Sequence, residues 1–260
     1  MHRSTTALPD EARPASSASR AVIDAASLTW TLARRELRAY FDTPIAYVVL
    51  SVFLAITGWF FGNALFLQNV ASLRSVFSIA PFIFLFFIPA LTMASFAEER
   101  RAGTLELLLT FPVRDWQVIA GKLLATAIFL LIAISITFVY AITVSRLGDL
   151  DFGATVGGYL GLFLLGVTYA AVGICASSLT RNQIVAFILG FAIIFMLFLL
   201  DKVTDFMPVW LGAIMQYLGS DYHFQNLMRG VIDSRDVLYY LSMTAFAFLL
   251  TTYTLSKRPE

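Results

Sequence analysis

The sequence predicts an all-α polytopic membrane protein, with an N-terminal amphipathic helix and six transmembrane helices. Three observations carry this. The chain is 59% hydrophobic and only 13% charged, with a mean hydropathy of +0.79, far too apolar for a soluble globule of average make-up. Apolar runs of about 20 residues, the length a helix needs to cross the hydrocarbon, recur along it. The lysines and arginines are shared unevenly between the loops that join those runs.

Residues 1–26 are rich in Ala, Ser, Thr, Pro and Arg without an apolar run, so they predict a disordered tail, and the missing apolar stretch excludes a secretory signal. From residue 27 to 42 a helical period sets in. Trp30, Ala33, Leu37, Tyr40 and Phe41 share one face, flanked by Arg34, Arg35 and Arg38. That pattern suits a helix lying along a membrane surface with its arginines near anionic headgroups. Pro44 separates it from the first span, residues 45–67. The second span, 76–97, holds Pro81 and Pro89, and Pro89 is expected to kink it.

Span three follows at about 118–145, with Asp115 as the expected cap and Trp116 as an interfacial anchor. Span four, about 154–178, carries a Gly157-x-x-x-Gly161 pair suited to close packing inside the subunit or against a second copy. Span five is 184–200 and span six is 237–255, with Asp236 as its expected cap and residues 257–260 as a polar end. Between them, residues 201–236 are unusual: 206–218 are apolar but too short to cross, and 221–230 predict another short helix. Such pieces sit at membrane depth only if protein covers their backbone. They are expected to close the outer end, with Phe206, Pro208, Trp210 and Tyr217 in the apolar part and Asp221 and Arg229 setting its register.

Arg74, Arg146, Lys202, Arg229 and Arg235 fall on one side of this topology, and the other 13 of the 18 basic residues on the side of the termini. The bias places both termini and the 98–115 loop in the cytoplasm. That loop is where a charge cluster, Glu98, Glu99, Arg100 and Arg101, meets a short amphipathic segment. Gly103 suits a left-handed helix end, Thr104 an N-cap and Glu106 the positive end of a helix dipole, while Pro112 stops the helix after about two turns. Leu105, Leu108 and Leu109 then form one apolar ridge. By itself the ridge fits either a headgroup-level loop or a helix docked in a groove.

Several chemistries are excluded. The formal charge of +1 gives no basic field for nucleic acid. Cys175 stands alone in an apolar run, and His2 and His223 are too few for a metal cluster; His223 reads as an interfacial hydrogen-bonding residue to which no site is assigned. No phosphate-binding loop occurs, since Gly121-Lys122 is followed by Leu123. The spans hold no ionisable residue at mid-depth, against an ion-driven transporter, and no intramembrane protease motif, against an enzyme. A non-transporting membrane scaffold remains the alternative.

The run Glu99-x-x-x-Gly103-Thr104-Leu105-Glu106-x-Leu108-Leu109-x-x-Pro112 resembles the loop after the second span in ABC-2-type transporter permeases. The resemblance extends over about residues 27–256. Within that family it is nearest to the permeases associated with gliding motility, through 81–89 with 94–96, 176–187 and 229–236. It implies an elbow helix at 27–42 and a coupling helix in the 98–115 loop, docked on a cytoplasmic ATPase that carries the ATP and Mg. It implies no cofactor in this chain. It also implies a second permease copy or paralogue, a bacterial inner membrane, and export or mechanical work on the envelope, the latter through an extracytoplasmic partner.

Overall fold

The computed structural model describes residues 17–68, 71–104, 114–204 and 207–257. The helices are α1 (Ser17–Asp42), α2 (Pro44–Gly62, continued by a π-helical turn, Asn63–Leu67), α3 (Arg74–Thr92), α4 (Ala94–Ala102), α5 (Asp115–Ile136) and α6 (Phe138–Leu147). They continue as α7 (Phe152–Ser178), α8 (Gln183–Leu199), α9 (Val209–Leu218), α10 (Ser220–Met228) and α11 (Ser234–Ser256), with no strand among the described residues. Five helical stretches are long and apolar enough to cross a membrane: α2 with its π turn, α3–α4, α5–α6, α7 and α11. The expected fifth span, α8, is a shorter apolar helix of 17 residues, at the lower limit for crossing.

α1 starts at Ser17, so ten residues expected in the disordered tail are helical instead. The run Ser17-Ala-Ser-Arg-Ala-Val-Ile-Asp-Ala-Ala is alanine-rich, and extending an existing helix avoids the cost of nucleation. On the expected apolar face Ala33 is buried and Leu37, Tyr40 and Phe41 pack on the core, whereas Trp30 is 55% exposed.

α7 is the central helix, buried over most of its length. Its glycines serve packing within the subunit. A Cβ on Gly157 would stand 2.1 Å from the Leu227 carbonyl oxygen, so α10 can lie against α7 only because that side chain is absent. Along α7, Gly157 and Gly161 meet Leu227, Gly161 also meets Phe224, and Tyr169 bonds Ser220. α10 therefore runs antiparallel to α7, its contacts spread over about 18 Å of α7 between Gly157 and Tyr169.

Two spans are interrupted by side chains of α7. Between α3 and α4 the helical ladder is interrupted at Met93, four residues beyond Pro89: the Ser177 hydroxyl accepts from the Phe96 and Ala97 amides (3.0 and 3.1 Å) and donates to the Met93 carbonyl (2.8 Å). A hydroxyl inserted into the backbone ladder is sufficient cause for a break. Between α5 and α6, the Tyr159 hydroxyl donates to the Thr137 carbonyl at 3.0 Å.

Two expected caps are displaced. α5 is capped by Arg114, whose amide donates to Gln117 Oε1 (2.9 Å), and Asp115 lies in the first turn. α11 is capped by Asp233, which accepts from the Arg235 amide (2.9 Å), because Asp236 is buried and engaged elsewhere.

Candidate functional site

At the end of the bundle that carries the 98–115 loop, three helices are joined by one buried ammonium. Lys122, in the second turn of α5, has only 3% of its side chain exposed. Its Nζ donates to Glu99 Oε1 of α4 at 2.8 Å and to Glu36 Oε1 of α1 at 3.2 Å. It also lies 5.1 Å from the centre of the Phe96 ring. Arg35 stands at the rim, 3.5 Å from Glu36 and 4.0 Å from Glu99. Two cations thus face two carboxylates, a balanced set that repays much of the desolvation of Lys122. The close approach of α1 and α5 depends on Gly121, where a Cβ would come within 2.8 Å of Leu32 Cβ. One turn deeper, Tyr40 of α1 shares a hydrogen bond with Thr126 of α5 (3.0 Å), and burial pushes the Tyr40 phenol up.

α4 ends at Gly103, whose φ of +70° is the left-handed geometry expected from the sequence. The Thr104 hydroxyl reaches back to the Glu99 carbonyl (3.4 Å). Leu105, Glu106, Leu108, Leu109 and Pro112, the expected coupling helix, lie outside the described residues. The structure therefore shows both roots of that loop, α4 and α5, tied to each other and to α1. Among the expected residues, Glu99 belongs to this tie and Arg35 to its rim; Arg34, Arg38 and Arg101 are exposed, and Glu98 does not join it. Arg100 faces the charge of Arg181 in the turn between α7 and α8. In the sequence Lys122 is only one of the basic residues on the side of the termini and Glu36 stands unmarked, since their partnership spans 86 residues and no local pattern shows it.

Towards the other end, α10 is held by a second polar set. His223 is 1% exposed, with Nδ1 2.6 Å from Asp236 Oδ1, Nε2 2.9 Å from the Tyr217 carbonyl, and its ring stacked 4.0 Å above Tyr239. It is a core residue, contrary to the interfacial reading. The junction of α9 and α10 is satisfied by tyrosines: Tyr239 donates to the Leu218 carbonyl (2.6 Å), Tyr240 to the Ser220 carbonyl (2.8 Å), and Tyr169 shares a bond with the Ser220 hydroxyl (2.7 Å). Asp221, expected to help set the register here, is paired with Lys202 (2.5 Å) and Gln225 (3.2 Å), while Arg229 is exposed at the end of α10. Burial lowers the Lys202 ammonium, but Asp221 and Asp201 outweigh it, leaving its pKa raised. α9 is not covered: Val209 is 91% exposed, and Trp210, Tyr217 and Pro208 are exposed as well. Phe206 lies outside the described residues. Among the described residues no three His, Cys, Asp or Glu side chains converge as a metal would require.

The family model described as ABC-2 family transporter protein matches residues 15–256. The chain is 29% identical over 143 residues to the probable multidrug ABC transporter permease YbhR of Escherichia coli K12, a match covering 54% of this chain and 38% of that protein. It is 31% identical over 121 residues to the probable ABC transporter permease protein NosY of Pseudomonas aeruginosa PAO1, covering 43% of each. The chain thus spans well under two thirds of the relatives it matches. With a family match over nearly its whole length and an all-helical build of membrane-crossing helices, the chain belongs to the ABC-2 transporter permeases.

Proposed function

We propose that this chain is the transmembrane subunit of an ATP-driven transporter, and that the 98–115 loop passes motion to it from a separate cytoplasmic ATPase holding the ATP and Mg. The observation that carries the reading is the Lys122 tie. A force on the loop reaches α4 and α5 together, and through Glu36 it reaches α1, so the three move as one body. The charge distribution supports a loop and termini in the cytoplasm and residues 201–236 on the far side. The outward apolar face of α8, where Ile184, Ile188 and Met196 are exposed, is where we place a second permease copy or paralogue in a bacterial inner membrane. The work done is export or mechanical action on the envelope, and the likeness to gliding-motility permeases belongs to the same proposal without fixing a cargo. The test is affinity purification of the full chain from its native membrane. A nucleotide-hydrolysing subunit at stoichiometric amount is the expected result, and a chain purified without one from intact, gently solubilised membranes contradicts the reading.

A further inference from the structure

A cup of about 340 Å³ opens where the start of α3, the α6–α7 turn and the end of α10 meet. Its floor is apolar and closed, with Phe77, Val144 and Met228 all buried. Its rim carries two arginines, Arg74 and Arg229, and two aspartates, Asp149 and Asp151. All four are exposed, and no ion pair joins them among the described residues. Asp151 spends Oδ1 on the Ala154 amide as the cap of α7, which leaves its other oxygen to accept.

Opposite charges held apart around one cup call for a ligand that carries both. A simple anion would satisfy the arginines and be repelled by the aspartates, and a simple cation the reverse; a compact zwitterion answers all four. The site also sits where three membrane-crossing stretches reach their ends, the level of lipid headgroups, and Leu147 and Phe152 beside the α6–α7 turn are 61 and 73% exposed. We propose that this cup binds the phosphoethanolamine headgroup of a phospholipid, its phosphate against Arg74 and Arg229 and its primary ammonium against Asp149 and Asp151. A choline headgroup has no N–H to donate, and the rim offers it no aromatic cage. The inference rests on the membrane-crossing fold alone and stands or falls separately from any ATPase.

The test uses the full chain, delipidated in detergent and titrated with dioleoyl phosphatidylethanolamine, phosphatidylcholine or phosphatidylglycerol, with retained lipid read by native mass spectrometry. Wild type retains phosphatidylethanolamine in preference to both others. Arg74→Gln with Arg229→Gln lowers that retention about tenfold or more, as loss of charge-assisted contacts to phosphate requires. Asp149→Asn lowers phosphatidylethanolamine and raises phosphatidylglycerol, because a repulsive charge is removed; a structural defect would lower both. Equal retention of the three lipids, or a double variant that still prefers phosphatidylethanolamine, overturns the proposal. Free phosphoethanolamine binding as tightly as the lipid overturns the lipid as the source.

Discussion

Replacing Lys122 by methionine keeps most of the length of the side chain and removes the one charge that joins α1, α4 and α5. Glu36 and Glu99 are then left facing each other with 18 and 17% of their side chains exposed and only Arg35, at 3.5 and 4.0 Å, for company. Removing one partner of a fully buried ion pair costs roughly 3–5 kcal/mol; the residual exposure and Arg35 bring the expectation down to about 2–4 kcal/mol. In a chain of this size that lowers the thermal midpoint on the order of 10 °C. Glu36→Gln and Glu99→Gln added to Lys122→Met remove the orphaned carboxylates and should restore most of the midpoint while leaving the three helices without their charged tie. The assay is thermal unfolding of purified protein in detergent, followed by intrinsic tryptophan fluorescence, alongside the rate of ATP hydrolysis by the partner complex. Stability is expected to fall and recover across the series, while coupled hydrolysis stays low in both variants. If Lys122→Met unfolds at the wild-type temperature and sustains wild-type hydrolysis, the tie is a bystander.

Further expectations follow from the same contacts. Ser177→Ala strands the Phe96 and Ala97 amides that the hydroxyl now satisfies and should cost about 1–3 kcal/mol unless the helix heals across Met93, which a melting curve distinguishes. His223→Phe fills the ring's space but leaves the Asp236 carboxylate buried without its 2.6 Å partner, so destabilisation of about 2–4 kcal/mol is expected; Asp236→Asn with His223→Phe should recover part of it. Asp201 has its carboxyl pushed up, chiefly by burial and despite Lys202. Its contribution to stability is therefore fully present below an unfolded value near ~3.9 and lost as the pH rises through the higher folded value. Asp201→Asn should flatten that acid-side decline, and an unchanged slope in melting midpoints measured from pH 4 upwards counts against it. Cysteines placed at residue 106 in a Cys175→Ser background should be labelled only from the cytoplasmic face, and labelling from outside in sealed cells would invert the topology.

Local signals carried the parts of the fold that local chemistry decides. Gly103 was readable because a left-handed helix end suits glycine, and the first short helix of 201–236 because an apolar run of that length cannot cross. Caps were less legible: Asp233 and Asp236 both stand near the start of α11, and only the burial of His223 decides which is left free to cap. The interruption at Met93 involves Ser177, more than 80 residues away, and no local pattern in the second span marks it. The Lys122 tie was hidden for the same reason. A lysine beside a loop reads as a solvated charge until the fold brings carboxylates to it from residues 36 and 99.

If the 98–115 loop is the point through which an ATPase drives these helices, ATP hydrolysis by the purified complex in proteoliposomes responds to Leu108→Asp. A charge placed in a desolvated docking groove typically costs several kcal/mol, so binding should weaken by orders of magnitude and the ATPase should be lost from the complex while membrane abundance of the chain stays normal. Wild-type hydrolysis and a stoichiometric ATPase in the Leu108→Asp complex, at normal abundance, would contradict the account.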